Sequence, residues 1–206
     1  MNNTKLSILL ITVPERFDLI APLINELDRQ RKGLPVEVLY LGDTRTLHVG
    51  TKRNLLKNMV DGEYSVWIDD DDWVESNYIE EIMKGIEQKP DVITFNNQVF
   101  MRDYKHRHPM VENVVFKLEH KERTQDLPNK TYYYLPCHIH PIKHSIVKRY
   151  DFPDITYDGA DFKWSEAIQH ELKTEFHIDQ QLYHHRIDFS KDKQTTPLVV
   201  LTKRKI

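Results

Sequence analysis

The chain alternates short apolar runs with longer stretches in which apolar residues recur every three or four positions. Leu6 to Ile11 is apolar except at Ser7 and is closed off by Pro14, which predicts a buried strand. Leu19, Ile20, Leu23, Ile24 and Leu27 then recur at helical spacing between Phe17 and Arg31. Gly33 and Pro35 punctuate the chain, Val36 to Leu41 reads as a second strand, and Gly42-Asp43-Thr44 breaks it. Val49 to Val60 carries a narrow helical stripe of Leu55, Leu56 and Met59, ended by Gly62. Tyr64 to Ile68 is a third strand, and it runs directly into Asp69-Asp70-Asp71-Asp72. Ile79, Ile82, Met83 and Ile86 mark a helix from Ser76 to Gln88, and Asp91 to Phe95 follows as a fourth strand.

This β-α-β-α-β-α-β order predicts an α/β fold, a mainly parallel twisted sheet flanked by helices on both faces. In such sheets ligands sit beyond the carboxyl ends of the strands. The polar clusters Thr12 to Arg16, Gly42 to Thr44 and Asp69 to Asp72 all lie at such ends. The second half is less regular. Gln98 to Arg107 and Asn113 to His120 read as a hairpin or a smaller antiparallel layer, Gly159 to Leu172 as a helix, and Gln180 to Ile187 as a strand. With no repeat, low-complexity tract or flexible linker, the 206 residues are expected to form a single domain.

Composition narrows the class. Hydrophobic residues at 39% and charged residues at 30% are those of a folded globular chain, not a disordered one. A net charge of -3 gives no general attraction to nucleic acid, and the basic tail Lys203-Arg204-Lys205 is read as a solvated, frayed terminus. The single cysteine, Cys137, excludes an internal disulfide framework and fits a reducing compartment. The apolar stretch Leu6 to Val13 is too short to span a membrane, so a soluble, cytoplasmic protein is expected.

Four consecutive carboxylates repel one another, and a fold that places them at a strand end needs compensation. A hard divalent cation, Mg²⁺ or Mn²⁺, supplies it and leaves coordination positions for substrate phosphates. The plainer reading is that the run caps the next helix, with Asp72 or Ser76 as N-cap and the charges favourable to the helix dipole. Four acids after a strand as apolar as Val66-Trp67-Ile68 exceed what a cap requires.

The segment from Gly62 to Trp73, a glycine, a strand and then the aspartates, resembles the signature of family 2 glycosyltransferases of the GT-A fold. Gly50-Thr51-Lys52-Arg53-Asn54 is similar to that family's glycine-x-x-arginine-asparagine helix start. Pro14-Glu15-Arg16 after the first strand and Asp43 after the second match in kind and spacing. The resemblance is close over about residues 5 to 100 and looser over 135 to 190. It implies a GT-A-like domain with a nucleotide-sugar-binding half up to about residue 100 and an acceptor-binding half beyond it.

The same resemblance implies roles residue by residue. Asp71 binds the metal, and Asp69 contacts the donor's ribose or the metal, with Asp70 the variable middle position. Asp43 hydrogen-bonds the base of a UDP-sugar, and Pro14, Glu15, Arg16 and Lys52 line the nucleotide. Arg53 offers its planar fork to a phosphate or to the acidic loop. Inverting transfer to a hydroxyl needs a general base, and the family's acidic helix start falls at Tyr157-Asp158-Gly159-Ala160-Asp161. Ala160 stands where the family has glutamate, which leaves Asp161 as the favoured base and Asp158 as its competitor, either of which can also cap the helix.

The eleven histidines fit no common zinc spacing. Tyr183-His184-His185-Arg186, with Ser190 after it, resembles the family's late strand, where a histidine completes the metal site. Only one of His184 and His185 can face the pocket on a strand, and His185 is favoured. Arg186 is placed to assist the departing diphosphate by charge, and His138 or His140 to contact the acceptor.

The resulting expectation is an inverting, metal-dependent glycosyltransferase that moves a sugar from a nucleotide diphosphate to a hydroxyl, most simply on a glycan. Small members of the family in phages modify hydroxylated DNA bases, and Lys143, Lys148 and Arg149 keep nucleic acid open as an acceptor only. A nucleotidyltransferase ordinarily needs a glycine-rich phosphate loop after its first strand, and Thr12 to Arg16 contains no glycine. A non-catalytic sugar- or metal-binding module is the remaining alternative, and it has no need of Arg53 and Asp161.

Overall fold

The computed structural model describes residues 3–102, 110–120, 124–155, 159–188 and 200–204. In chain order the elements are β1 (Leu6–Thr12), one 3-10 turn (Pro14–Arg16), α1 (Phe17–Gln30), β2 (Val36–Gly42), α2 (Val49–Lys57) and β3 (Tyr64–Asp69). Then come β4 (Trp73–Val74), α3 (Tyr78–Glu87), β5 (Val92–Arg102), β6 (Met110–Phe116), β7 (Thr124–Asp126) and β8 (Thr131–Tyr134). The chain continues through β9 (Ile142–Lys143), α4 (His144–Val147), α5 (Ala160–Ile168), β10 (Glu175–Asp188) and β11 (Val200–Arg204).

Parallel pairing of β1 with β2 and with β3 forms the nucleus of the sheet, Leu6 facing Val36 on one side and Tyr64 on the other. The short β9 runs antiparallel between β3 and β5. Beyond it β10 lies parallel to β5, and β5 pairs antiparallel with β6 from Asn96 opposite Val115 to Met101 opposite Met110. The result is the predicted α/β architecture, a mostly parallel central sheet flanked by helices. Alternation along β1 explains why both faces are covered. Leu6, Ile8 and Leu10 pack with Ile20, Leu23 and Leu27 of α1 and Ile79, Ile82 and Ile86 of α3. Leu9, Leu39 and Trp67 face the other way, against Leu56 of α2 and Trp164 and Ile168 of α5.

Several described elements differ from the sequence expectation. The strands expected at Asp91 to Phe95 and from Gln98 onward are one continuous strand, Val92–Arg102. The long C-terminal strand begins at Glu175 rather than Gln180, because Phe176 and Ile178 alternate with polar residues before irregularities between Ile178 and Tyr183 break the period. The helix after Gly159 stops at Ile168, followed by one 3-10 turn. The basic tail is not frayed over its described part: Val200–Arg204 pairs antiparallel with β2, Leu201 opposite Leu41.

Close backbone approaches account for two of the motif glycines. A Cβ on Gly50 would lie 2.3 Å from the Pro153 carbonyl oxygen, and one on Gly62 would lie 2.6 Å from Ser7 Oγ. Gly50→Ala therefore forces α2 away from the 152–155 segment. It is expected to cost about 2 kcal/mol or more in urea unfolding, typical of overpacking against unyielding backbone. A loss under about 0.5 kcal/mol would show that the segment simply gives way.

Candidate active site

The acidic run makes a tight turn at the end of β3, where the Asp72 N–H donates to the Asp69 carbonyl at 3.2 Å. Trp73 and Val74 then pair antiparallel with His184 and Tyr183 of β10, which carries a distant part of the chain to the turn. Buried Asp72 accepts the Tyr183 hydroxyl at 2.6 Å and the Arg186 backbone N–H at 2.7 Å, and its Oδ2 lies 3.0 Å from His185 Nδ1. The Asp69 N–H donates to the Tyr183 oxygen at 3.2 Å. Tyr183 and His185 are two apart and share a strand face, whereas His184 pairs with Glu75 at 2.6 Å. Asp69, Asp72 and His185 present ligand atoms within 4.8 Å of one another.

Asp69 is also a crossroads. Arg53 Nη2 on α2 donates to its Oδ1 at 2.9 Å, and Arg53 Nη1 pairs with Oδ1 of Asp161. His138 Nε2 lies 3.4 Å from Asp69 Oδ2 and 4.0 Å from Asp161 Oδ2. Arg53 and His138 thus each stand between the same two carboxylates. Packing fixes this ring of four. Asn54 clamps the backbone of Phe152 through both its amide oxygen and nitrogen, at 2.8 and 2.9 Å. The Phe152 ring stacks on Trp164 at 4.5 Å and meets Trp67 edge-on at 5.0 Å. Asp161 is one helical turn before Trp164, so the aromatic cluster sets where its carboxylate emerges. Trp164→Ala should destabilise by about 3–5 kcal/mol, read from denaturant unfolding. Unchanged stability would show that the cluster does not hold α5.

Asp70 is buried and accepts Thr12 Oγ1 at 2.7 Å and Arg16 Nη1 at 2.8 Å. The same guanidinium nitrogen reaches Asp71 Oδ2 at 3.0 Å. Pro14 and Glu15 belong to the turn that presents Arg16, and Glu15 is exposed. Asp43, expected at the base, is completely buried: Oδ2 accepts the N–H groups of Thr46 and Leu47 at 2.7 and 2.8 Å, and Lys52 Nζ donates to Oδ1 at 2.6 Å. This pair shapes the 43–48 loop from within.

The titration pattern follows from this crowding. Burial opposes ionisation of Asp69, but His138 and the Arg53 guanidinium outweigh it and hold its carboxyl well below the usual range. Burial raises Asp71 to about 6, with Arg16 opposing and the other aspartates assisting. Burial also pushes Asp72 up. For His185 burial acts downward, yet the hydrogen bond and charge of Asp72 win and raise it to about 9. A raised folded value means that protonated His185 contributes its full stabilisation below 6.5 and loses it as pH climbs through about 9. The metal-free protein should therefore lose stability across that window in pH-resolved thermal melts, and His185→Asn should flatten this part of the curve. Parallel curves for the two proteins would refute the assignment.

One expected acceptor contact is corrected. His140 is fully buried, its ring 4.8 Å from Phe95 and 4.5 Å from Phe116, and burial lowers it to about 3. It is a core histidine, turned into the aromatic layer by the proline-flanked segment, while His138 remains beside the carboxylates. Asp158 and Ser190 lie outside the described residues. The Arg186 side chain is exposed, its guanidinium 5.7 Å from the Trp73 ring centroid, and only its backbone touches Asp72. Sequence reasoning placed Tyr183, Thr12 and Asn54 within its motifs but assigned them no role. For Tyr183 the signal was present, since it shares the alternation of His185.

The donor set suits a hard or borderline divalent cation: two carboxylates and an imidazole converge, with Asp71 close enough to act on His185. Arg53 Nε and His138 Nδ1 are buried without a hydrogen-bond partner, polar atoms left over at the same place.

Comparison with known proteins gives the family and the fold. The family model for glycosyl transferase family 2 matches residues 22–151, more than half of the chain. No curated protein matches. Among solved structures, S. aureus TarS 1-349 in complex with UDP-GlcNAc is similar at a TM-score of 0.63 and 15% identity, over 91% of this chain and 60% of that one. The UDP complex of TarS 1-349 gives 0.60 and 15%, over 89% and 61%, and a structure titled simply S. aureus TarS gives 0.60 and 15%, over 89% and 37%. The chain thus spans about 60% of the length of TarS 1-349, and at this identity the likeness is one of fold. Two closely packed glycines, the arginine-asparagine helix and the strand-end aspartates all fall inside the matched span, and the chain belongs to glycosyl transferase family 2.

Proposed function

We propose that the protein is an inverting glycosyltransferase that moves a sugar from a nucleoside diphosphate, a UDP-sugar, to a hydroxyl acceptor with the help of Mn²⁺ or Mg²⁺. The observation that carries this reading is the convergence of Asp69, Asp72 and His185 beside a ring that joins Asp69 to Asp161. Family membership supports the reaction class, and the UDP and UDP-GlcNAc complexes of S. aureus TarS support a uridine diphosphate donor.

Asp69, Asp71, Asp72 and His185 would hold the cation, which when bound neutralises charge on the departing diphosphate. Residues up to about 100 would form the donor half and those beyond it the acceptor half. The turn Pro14–Arg16 and the loop braced by Asp43 and Lys52 border the crevice at the strand ends, where the nucleotide would lie. Arg53, held by Asp69 and Asp161, supplies fixed positive charge near the phosphates. Asp161 accepts the proton of the acceptor hydroxyl as that oxygen attacks the anomeric carbon, and the nucleoside diphosphate leaves from the opposite face. His138 stands on the acceptor side of Asp69.

The test is a nucleotide-sugar panel with Mn²⁺, read by calorimetry and by slow donor hydrolysis, followed by acceptors that include glycans and hydroxymethylated DNA. Binding and turnover of a UDP-sugar, abolished by EDTA and restored by Mn²⁺, is the expected result. Absence of both binding and hydrolysis across the panel would overturn the proposal.

A further inference from the structure

Among the described residues, Arg16 bridges the outer half of the acidic run, with one nitrogen close to both carboxylates. Nη1 lies 2.8 Å from Asp70 Oδ1 and 3.0 Å from Asp71 Oδ2. The two carboxylates it joins are not alike. Asp70 is buried and keeps a second partner, Thr12 Oγ1 at 2.7 Å, whereas the Asp71 side chain is 34% exposed. Arg16 itself is 36% exposed and sits on a single 3-10 turn closed by its own N–H to the Val13 carbonyl at 2.9 Å. Such a turn is short and exposed enough to re-form elsewhere at small cost. Deeper in the run no side chain is comparably movable: Asp72 is pinned by Tyr183, His185 and the Arg186 backbone, and Arg53 is buried between Asp69 and Asp161.

We infer that Arg16 is an exchangeable counter-charge, which holds Asp71 in the metal-free protein and gives it up to the divalent cation while remaining near Asp70. This rests on the metal site proposed above. The exchange is one of ion pairs alone: the guanidinium–Asp71 contact breaks, a carboxylate–cation contact forms, and no proton or covalent bond moves. Its consequence is that the turn bearing Pro14 and Glu15 changes when metal binds, so cation occupancy remodels the edge of the nucleotide crevice before the donor arrives.

Two measurements on the intact chain test it, neither needing activity. Mn²⁺ affinity is measured by titration for wild type, Arg16→Gln and Arg186→Gln. The last removes the same charge close by, from a guanidinium that stacks on Trp73. Arg16→Gln should bind Mn²⁺ about tenfold more tightly, the size expected for removal of a competing part-buried ion pair, with Arg186→Gln within about twofold of wild type. Amide exchange over residues 13–17 of the wild type should quicken when Mg²⁺ is added. Equal gains in the two variants would reduce Arg16 to a contributor to the general field and overturn the inference, as would unchanged exchange in the turn. Equal Mn²⁺ binding by wild type and Arg16→Gln defeats the inference and leaves the metal site standing. No Mn²⁺ binding by any of the three defeats both.

Discussion

Asp71→Asn is expected to lower nucleotide-sugar turnover by roughly 10³-fold, about 4 kcal/mol of transition-state stabilisation, with almost no change in thermal stability. The separation of the two effects follows from where the four aspartates sit. Asp71 is partly exposed and its carboxylate meets only Arg16 among the bonds described, so an amide there removes the proposed metal ligand without opening the core. Burial also holds its carboxyl at about 6, so the neutral variant relieves repulsion within the run. Asp72→Asn should lose both activity and stability, because its oxygens satisfy Tyr183, His185 and the Arg186 N–H. Turnover by Asp71→Asn within threefold of wild type would assign the cation to the inner group alone.

Asp161→Asn separates binding from chemistry instead. Loss of a general base costs about 10²–10⁴-fold in rate, and the amide of asparagine cannot accept the acceptor proton. Donor affinity should be kept or should tighten, because Arg53 Nη1 is released from its carboxylate partner and turns wholly to the donor side. Calorimetry with UDP and Mn²⁺, paired with a transfer assay, reads both effects. Weaker UDP binding with proportionally weaker turnover would make Asp161 a donor-site residue, and the acceptor base would have to be sought elsewhere.

Most elements up to Phe95 were legible because the strands are short apolar runs buried on both faces, the helices carry one apolar stripe, and both are sharply punctuated; the Pro14–Arg16 turn and the two-residue β4 were not. Trp67 and Ile68 announce a buried strand, and the acidic run ends it at its first member, Asp69. Which aspartate does what was not legible. That depends on the turn in which the Asp72 N–H folds back on Asp69, and on irregular pairing along β10 that brings His185 into reach. Asp43 shows the same limit. A carboxylate at a strand end reads as a ligand contact, but nothing in the sequence shows that it also gathers Lys52 and the N–H groups of Thr46 and Leu47 to shape its loop. His140 misled for the opposite reason. Nothing in a histidine between prolines foretells two phenylalanine rings from separate strands closing on it.

The pairing of Trp73 and Val74 with Tyr183 and His184 has a kinetic meaning. The two halves of the proposed cation site are separated by more than a hundred positions and are joined by β10, which pairs antiparallel with Trp73 and Val74 and parallel with β5. Contacts of such long range close late in folding, since their loop entropy is met only once the intervening structure forms. During synthesis the sheet around β1, β2 and β3 can therefore consolidate while the acidic turn still lacks Tyr183 and His185 to neutralise it. Divalent cation would then act as a sensor of completed folding, binding only chains whose last long strand has docked and stabilising those by mass action.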